Sequence, residues 1–493
     1  MNRTISEATA SSDKLSPSQR KYLSKVTISS FIGNTLEYYD YFVYGTASAI
    51  AFPSVFFAHQ STFVAALSSF ATFAVGFLAR PLGGLFFGSR GDKSGRKSTL
   101  ILTLLIMGTG TFLIGCIPSV ETIGIAAPIL LIVLRLVQGF AVGGEWGGSM
   151  LIVLESAPKR SRGFWSAWPQ TGGFSSQIII TLIFAWVYTL PEDAMLSWGW
   201  RVPFWASALV MVMGLWMRRS LEESPVFTQT MAAKEKEGRN RSLTVENLEA
   251  TMAARDEQAQ TAAKPAAQPA AKSAAKPAEK EHGPLYKVFV EDWRDLLRIL
   301  GLRFAESLPY FLLCTFALSY GPQHLGIPKD WLNWAILIMS VLAFPAHGFF
   351  SWLSDRIGRR PVYMIGTVVV FLTAFPFFLI LQTGSFGLIV LGYIIVLNLG
   401  HNAINAVQPS FFSELFPADR RYSGAASGRE IASILTGGLT PFIATWLAGA
   451  NGEHWYYVAA YVMIGAVITA IAVWLSPETY RRDLYAIGKE SER

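Results

Sequence analysis

The sequence predicts an all-α membrane protein, with twelve transmembrane helices in two pseudo-symmetric six-helix halves. Three observations lead there. The 493 residues are 52% hydrophobic and only 15% charged, with a mean hydropathy of +0.36, whereas soluble domains carry about a quarter charged residues. Twelve apolar runs are each long enough to cross a hydrocarbon core, which takes about 20 helical residues. Two loop motifs recur at matching places in the two halves.

A polar tail over 1–25 has no short apolar core followed by a small-residue cleavage site, so the first apolar run is expected to be a retained span. The first half, 26–220, holds spans near 26–53, 62–88, 99–117, 126–154, 163–190 and 200–218. The second, 294–476, holds spans near 296–320, 332–353, 361–382, 386–414, 422–449 and 455–475. Lipid offers no partner to a free N–H or C=O, so the spans must be helices. Between the halves, 221–293 includes AAKPAAQPAAKSAAKPAEK. Its Ala/Lys/Pro composition cannot bury enough apolar surface to offset chain entropy, so the linker is expected to be largely disordered. Met231 to Gln260 is a weaker candidate for a surface helix. A tail over 477–493 follows the last span.

The net charge of +7 raises the question of nucleic acid, but the basic residues sit in short loops. One set holds Arg90, Lys93, Arg96 and Lys97, then Lys159, Arg160 and Arg162, then Arg356, Arg359 and Arg360, then Arg420 and Arg421. The alternate loops offer little beyond Lys329. By the positive-inside rule the basic loops and both termini are cytoplasmic, and the macromolecular environment is membrane lipid, not nucleic acid. Cys116 and Cys314 lie in apolar runs and read as small core residues. No metal spacing, nucleotide loop or nucleophile motif occurs, so no enzyme, cofactor or metal site is expected. GFAVGGEWGG lies within an apolar span with no strand before it, and is not a phosphate loop.

GDKSGRKS (Gly91–Ser98) and SDRIGRRP (Ser354–Pro361) each follow the second span of their half. Asp92 and Asp355, Gly95 and Gly358, and Arg96 and Arg359 are each 263 positions apart. ESAPKRSRG from Glu155 and ELFPADRRYSG from Glu414 each follow a fourth span. Parallel repeats of this kind are a transporter architecture with substrate near the midplane. Glycine permits the tight turn, and the Asp can accept hydrogen bonds at a neighbouring helix N-terminus. Asp92, Gly95, Arg96, Asp355 and Arg359 are therefore candidates for an inner gate latch that stabilises an outward-open state. The alternative is a topological anchor only.

Buried polar groups mark the candidate site. In the first span, GNTLEYYDYFVYG (Gly33–Gly45), Glu37 and Asp40 stand at i and i+3 on one helix face. A carboxylate within lipid must be protonated, paired or wet. Burial raises its pKa and an arginine lowers it, so such a group can exchange a proton as its exposure changes. Arg135 lies deep in the fourth span and stays charged. Glu145 stands among glycines in GGEWGGS and is a candidate for proton movement or gating, while Gly139 and Gly143 offer close helix approach. In LRFAESLPYF, Arg303 and Glu306 repeat the i, i+3 spacing. In LGHNAINAVQPS, His401, Asn405 and Gln408 share a face, with Asn402 beside them. Arg80, Trp168, Gln170, Gln177, Arg429 and Glu430 add further polar or amphipathic groups. The candidate substrate-binding set is Arg80, Tyr39, Tyr44, Trp168, Gln170, Arg303, Glu306, Tyr310, His401, Asn402, Asn405 and Arg429. Guanidinium groups suit carboxylates through paired hydrogen bonds, which favours a small anionic organic acid. The alternative is that each arginine is already neutralised by a local acid.

These motifs resemble the major facilitator superfamily, and within it the metabolite:proton symporters, the branch that carries shikimate, α-ketoglutarate, citrate, proline and betaine. GSRGDKSGRKS with its second copy and RLVQGFAVGG carry the superfamily likeness. EYYDYFVYG, GGEWGG and FFSELFPADRRYSGAASG carry the branch. The likeness spans all but the N-terminal tail and the central loop, which is longer than the branch would have. Arg429 and Glu430 stand where a more neutral stretch is usual. The resemblance implies a monomeric, proton-coupled secondary carrier of the inner membrane, with protons as the coupling ion. It places Asp40 opposite Arg135 as the lead proton site, with Glu37 second; a purely structural ion pair is the alternative. Two other functions stay open: an osmoprotectant carrier for betaine or proline, and a membrane sensor that has lost transport.

Overall fold

The computed structural model describes residues 15–94, 96–143, 146–219, 284–417 and 420–482, and no strand occurs among them. In chain order the long helices are α1 (Pro17–Ile50), α2 (Thr62–Phe87), α3 (Arg96–Cys116), α4 (Ala126–Val142), α5 (Lys159–Val187) and α6 (Val202–Arg219). Then come α7 (Trp293–His324), α8 (Lys329–Ile357), α9 (Arg359–Gln382), α10 (Phe386–Glu414), α11 (Arg421–Ala448) and α12 (Trp455–Leu475). Eight of these are long and apolar enough on their own to cross a membrane, and Ile101–Cys116, Ala126–Val142 and Gly199–Leu215 are shorter apolar helices. The first helix falls outside both groups because charged and polar groups interrupt its apolar face. Large side chains such as Leu209, Ile125 and Trp474 remain exposed, as a lipid-facing surface requires.

Boundaries differ from the sequence expectation at both ends and in the middle. Helix α1 begins at Pro17, inside the polar tail, because Ser16 forms a capping box with Gln19. The linker reading and the helix expected over 231–260 fall almost wholly outside the described residues. The linker's last stretch is helical at Pro284–Val290, and Arg420 pairs with Glu291 and Asp292 at 2.8 and 2.6 Å, tying this stretch to the start of α11.

Small residues set the crossing of α2 and α4. A Cβ on Gly139 would run into the carbonyl oxygen of Gly76, and one on Gly143 into that of Arg80. The two backbones therefore touch where Arg80 and Arg135 leave their helices. Gly139→Val should cost about 1–3 kcal/mol or more through overpacking. The expected readout is loss of the monodisperse peak in detergent size-exclusion chromatography.

Second-half helices carry π turns beside the interior: Leu312–Phe316 in α7, Ile394–His401 in α10 and Ile434–Gly438 in α11. Such turns shift the side-chain register of a helix, frequently at functional sites. Here they turn His401, and the stretch after Ser433, at the level of the central cavity.

Candidate functional site

A central cavity lies between first-half helices α1, α2 and α5 and second-half helices α7, α10 and α11. Its charged lining is Glu37, Arg80, Arg303, Glu306 and Arg429, with His401, Gln170, Asn405 and Ser433 as polar groups. Tyr38, Tyr41, Phe42, Phe174, Tyr310 and Phe311 form aromatic walls. The arginines are not bare. Arg303 pairs with Glu306 at 2.5 Å and donates to Gln408 and Ser433. Arg429 pairs with Glu430 at 2.8 Å and donates to the Tyr38 hydroxyl at 2.9 Å. Arg80 meets the same Glu430 at 3.4 Å and lies over the rings of Phe77 and Tyr41. Three arginines thus share the space with Glu37, Glu306 and Glu430, a balanced set buried from solvent.

A second, smaller cavity adjoins it. Asp40, Arg135, Gln138 and Met107 line it, together with Glu37, Tyr41 and Arg80, which also line the first. Both acids of α1 are buried, each 6% exposed. The resemblance placed Asp40 opposite Arg135, and the structure puts them in one cavity without a direct ion pair. The Arg135 guanidinium stands instead 4.1 Å from the Tyr44 ring centroid and 5.3 Å from that of Phe73. Gln138, which lines the same cavity, donates to Thr111 at 2.6 Å.

Four residues of the expected substrate set do not line the central cavity. Tyr39 turns to the opposite side of α1 and donates to the Pro203 carbonyl at 2.7 Å. Tyr44 donates to Thr72 at 2.7 Å and supplies the ring under Arg135. Trp168 packs edge-on against Phe164. Asn402 is fully buried and donates to Asn398 at 3.0 Å, on a side of α10 turned from His401 and Asn405. Glu145 and Gly95 lie outside the described residues, as do the side chains of Asp92 and Arg96.

The second copy of the loop motif does bridge the halves. Asp355 accepts hydrogen bonds from the backbone N–H groups of Gly163 and Phe164 in α5, at 2.9 and 2.8 Å. Arg359 pairs with Asp355 at 2.7 Å and with Glu414 at 3.3 Å. Gly358, at φ 109°, makes the turn that brings them together, and Glu478 caps the N–H groups of Arg359 and Arg360. Two crossed pairs flank this centre: Arg162 with Glu414 at 3.9 Å, and Arg421 with Glu155 at 3.5 Å. Sequence reasoning missed these four residues as partners. The signal was the repeat itself, since Glu155 to Arg162 and Glu414 to Arg421 both span seven positions.

One face of α5 carries hydrogen bonds across to the second half on both sides of the cavity. Beyond Asp355 at Gly163 and Phe164, the Ala167 carbonyl meets His347 Nε2 at 3.0 Å. Gln170 donates to Asn405 at 3.1 Å, Tyr310 donates to Gln177 at 3.2 Å, and Asn333 donates to the Thr181 carbonyl at 2.9 Å. Pro169 lacks an N–H and the helix tightens to a 3₁₀ turn at Trp168–Thr171. Near that turn the Ala167 and Pro169 carbonyls take side-chain donors, the latter from Asn34. His347, buried between the halves, was also missed, since a lone histidine in an apolar run gives no pattern.

The chain matches the family described as Sugar (and other) transporter over residues 25–490. It belongs to this transporter family of the major facilitator superfamily. The transporter is 38% identical over 461 residues to the shikimate transporter of Escherichia coli strain K12, covering 93% of this chain and 95% of that one. It is 35% identical over 466 residues to the proline/betaine transporter of the same strain, covering 94% and 85%. In fold it is similar to the xylose transporter XylE from E. coli in a partially occluded inward-open conformation, with TM-score 0.69 and 17% identity over 94% of this chain and 100% of that one. The transporter is thus a multi-pass helical membrane protein that moves small metabolites, and it is not an enzyme.

Proposed function

We propose that this transporter is a proton-coupled symporter that imports a small organic acid across the inner membrane by alternating access. The observation that carries this reading is the charge balance of the central cavity. Arg80, Arg303 and Arg429 are matched by Glu37, Glu306 and Glu430. A carboxylate substrate added to a balanced, buried set leaves one negative charge uncompensated, which is costly in low dielectric. A proton taken up by Glu37 or Asp40 removes that cost, so anion and proton favour the loaded state together. A ligand moves an equilibrium only by its differential affinity for the two states. The two six-helix halves then rock about the substrate, with the basic loops and both termini in the cytoplasm and the Asp355–Arg359 latch closing that side. The protein acts as a monomer.

A second reading, import of betaine or proline, is favoured by the aromatic walls of the cavity, since such rings attract a quaternary ammonium. A zwitterion needs no proton to balance its charge. Uptake of radiolabelled shikimate, other organic acids, proline and glycine betaine into proteoliposomes under an imposed pH gradient separates the two. Accumulation of an acid that collapses with the gradient is the expected result. Uptake confined to betaine or proline and raised by osmolarity would replace the first reading with the second. No uptake of any of them would leave a sensor.

A further inference from the structure

Arg80 stands in the wall between the two cavities, and we infer that it is the positioning residue through which protonation beside Asp40 strengthens anion binding next door. The inference rests on the symport reading and deepens it. Three residues line both cavities: Glu37, Tyr41 and Arg80. Of these, Arg80 alone is a cation, and it is held differently from the other arginines of the site. Arg303 and Arg429 are fixed by short ion pairs and by further hydrogen bonds on separate helices. Among the described residues, the ion pair of Arg80 is the 3.4 Å contact to Glu430, and its guanidinium otherwise rests on ring faces, 4.6 Å from Phe77 and 5.1 Å from Tyr41. Ring faces hold a cation without fixing its direction, so a modest swing aims it at either cavity.

The charges facing Arg80 set which way it leans. From α1 come Glu37, Asp40 and the Tyr41 phenol; from α4, Arg135; from α11, Glu430, itself shared with Arg429. Across the central cavity stand Arg303, Glu306 and His401. Arg80 and Arg135 act on one another as like charges. With Asp40 ionised, its negative charge offsets that repulsion and keeps Arg80 near the partition. When Asp40 takes a proton from the aqueous side, the smaller cavity gains net positive charge, and Arg80 is pushed toward the central cavity, where a carboxylate receives it. No proton passes through Arg80; the proton stays on Asp40 and the message is electrostatic. By linkage the anion must strengthen proton binding by the same factor.

The test measures KM for counterflow of radiolabelled shikimate, as the carboxylate probe, with the full chain in proteoliposomes at pH 6.0 and 7.5. Wild type should show a KM about tenfold lower at pH 6.0, within the usual range of coupling. Arg80→Gln should have the same KM at both pH values, while Arg429→Gln should raise KM at both and keep their ratio. Arg80→Lys, which restores a cation, should restore the ratio. Arg80→Met, whose apolar chain suits the Phe77 and Tyr41 faces, carries the same expectation should the glutamine variant fail to fold. A neutral variant at position 80 that keeps the wild-type ratio overturns the inference and leaves symport standing. A wild-type KM independent of pH overturns the organic-acid symport reading and this inference with it.

Discussion

Asp40→Asn is expected to abolish uphill accumulation while substrate exchange survives. The amide keeps the size of the side chain and its hydrogen-bonding neighbourhood near Thr111 and Gln138, and it cannot bind and release a proton. Each proton moved down a gradient of one pH unit supplies about 1.4 kcal/mol, a tenfold accumulation; one carboxylate carried with one proton moves no net charge, so the membrane potential adds nothing. The variant loses the proton's contribution, so its ratio of internal to external substrate should fall to about 1. Counterflow, which needs only the loaded carrier to reorient, should continue. Proteoliposomes with an imposed pH gradient read the first quantity, and preloaded vesicles read the second. Wild-type accumulation by Asp40→Asn, together with its loss in Glu37→Gln, would move the proton site to Glu37, which borders both cavities.

Arg359→Ala should release the latch between the halves. Arg359 is 1% exposed and Glu414 is fully buried. Removing the cation strands Asp355 and Glu414 together, and breaking a buried ion pair from one side costs about 3–5 kcal/mol. That penalty falls mainly on the state with α5 docked against Asp355. At the lower figure the population shifts by roughly two orders of magnitude toward the state open at the basic end, tenfold for each 1.36 kcal/mol. A cysteine placed at Ser351, buried in the docked state, in a background lacking Cys116 and Cys314, should then label far faster with a maleimide applied from that side. Arg162→Ala should have a smaller effect, because its contact with Glu414 is 3.9 Å and Arg359 remains. Unchanged labelling in Arg359→Ala would remove the latch role.

Much of this was legible in the sequence where the signal was local or repeated. Twelve apolar runs and two repeated loops imply the fold, because lipid leaves helices as the solution. The i, i+3 spacing of Arg303 and Glu306 and the i, i+4 spacing of Asp355 and Arg359 foreshadow ion pairs that the helix geometry makes. Arg80 and Glu430, 350 positions apart, carry no such clue; only the tertiary fold makes them partners. Tyr39, Tyr44 and Trp168 were misplaced because an amphipathic aromatic looks alike from sequence whether it faces a cavity or a neighbouring backbone. Asn402 was misplaced for a different reason. The α-helical period itself sets it about 100° round the helix from His401, and there it is buried against Asn398.

The row of bonds along one face of α5 has a mechanical consequence. Gly163 to Thr181 spans about 27 Å at 1.5 Å per residue, with Gln170 and Asn405 near the middle. Both arms are bonded at once in this state, so the rod is a beam clamped at each end. Tilting it on its centre opens one arm only, at about 1 kcal/mol net per tether. Release of either face thus costs a few kcal/mol at a time, an amount that a single small guest and its proton can offset.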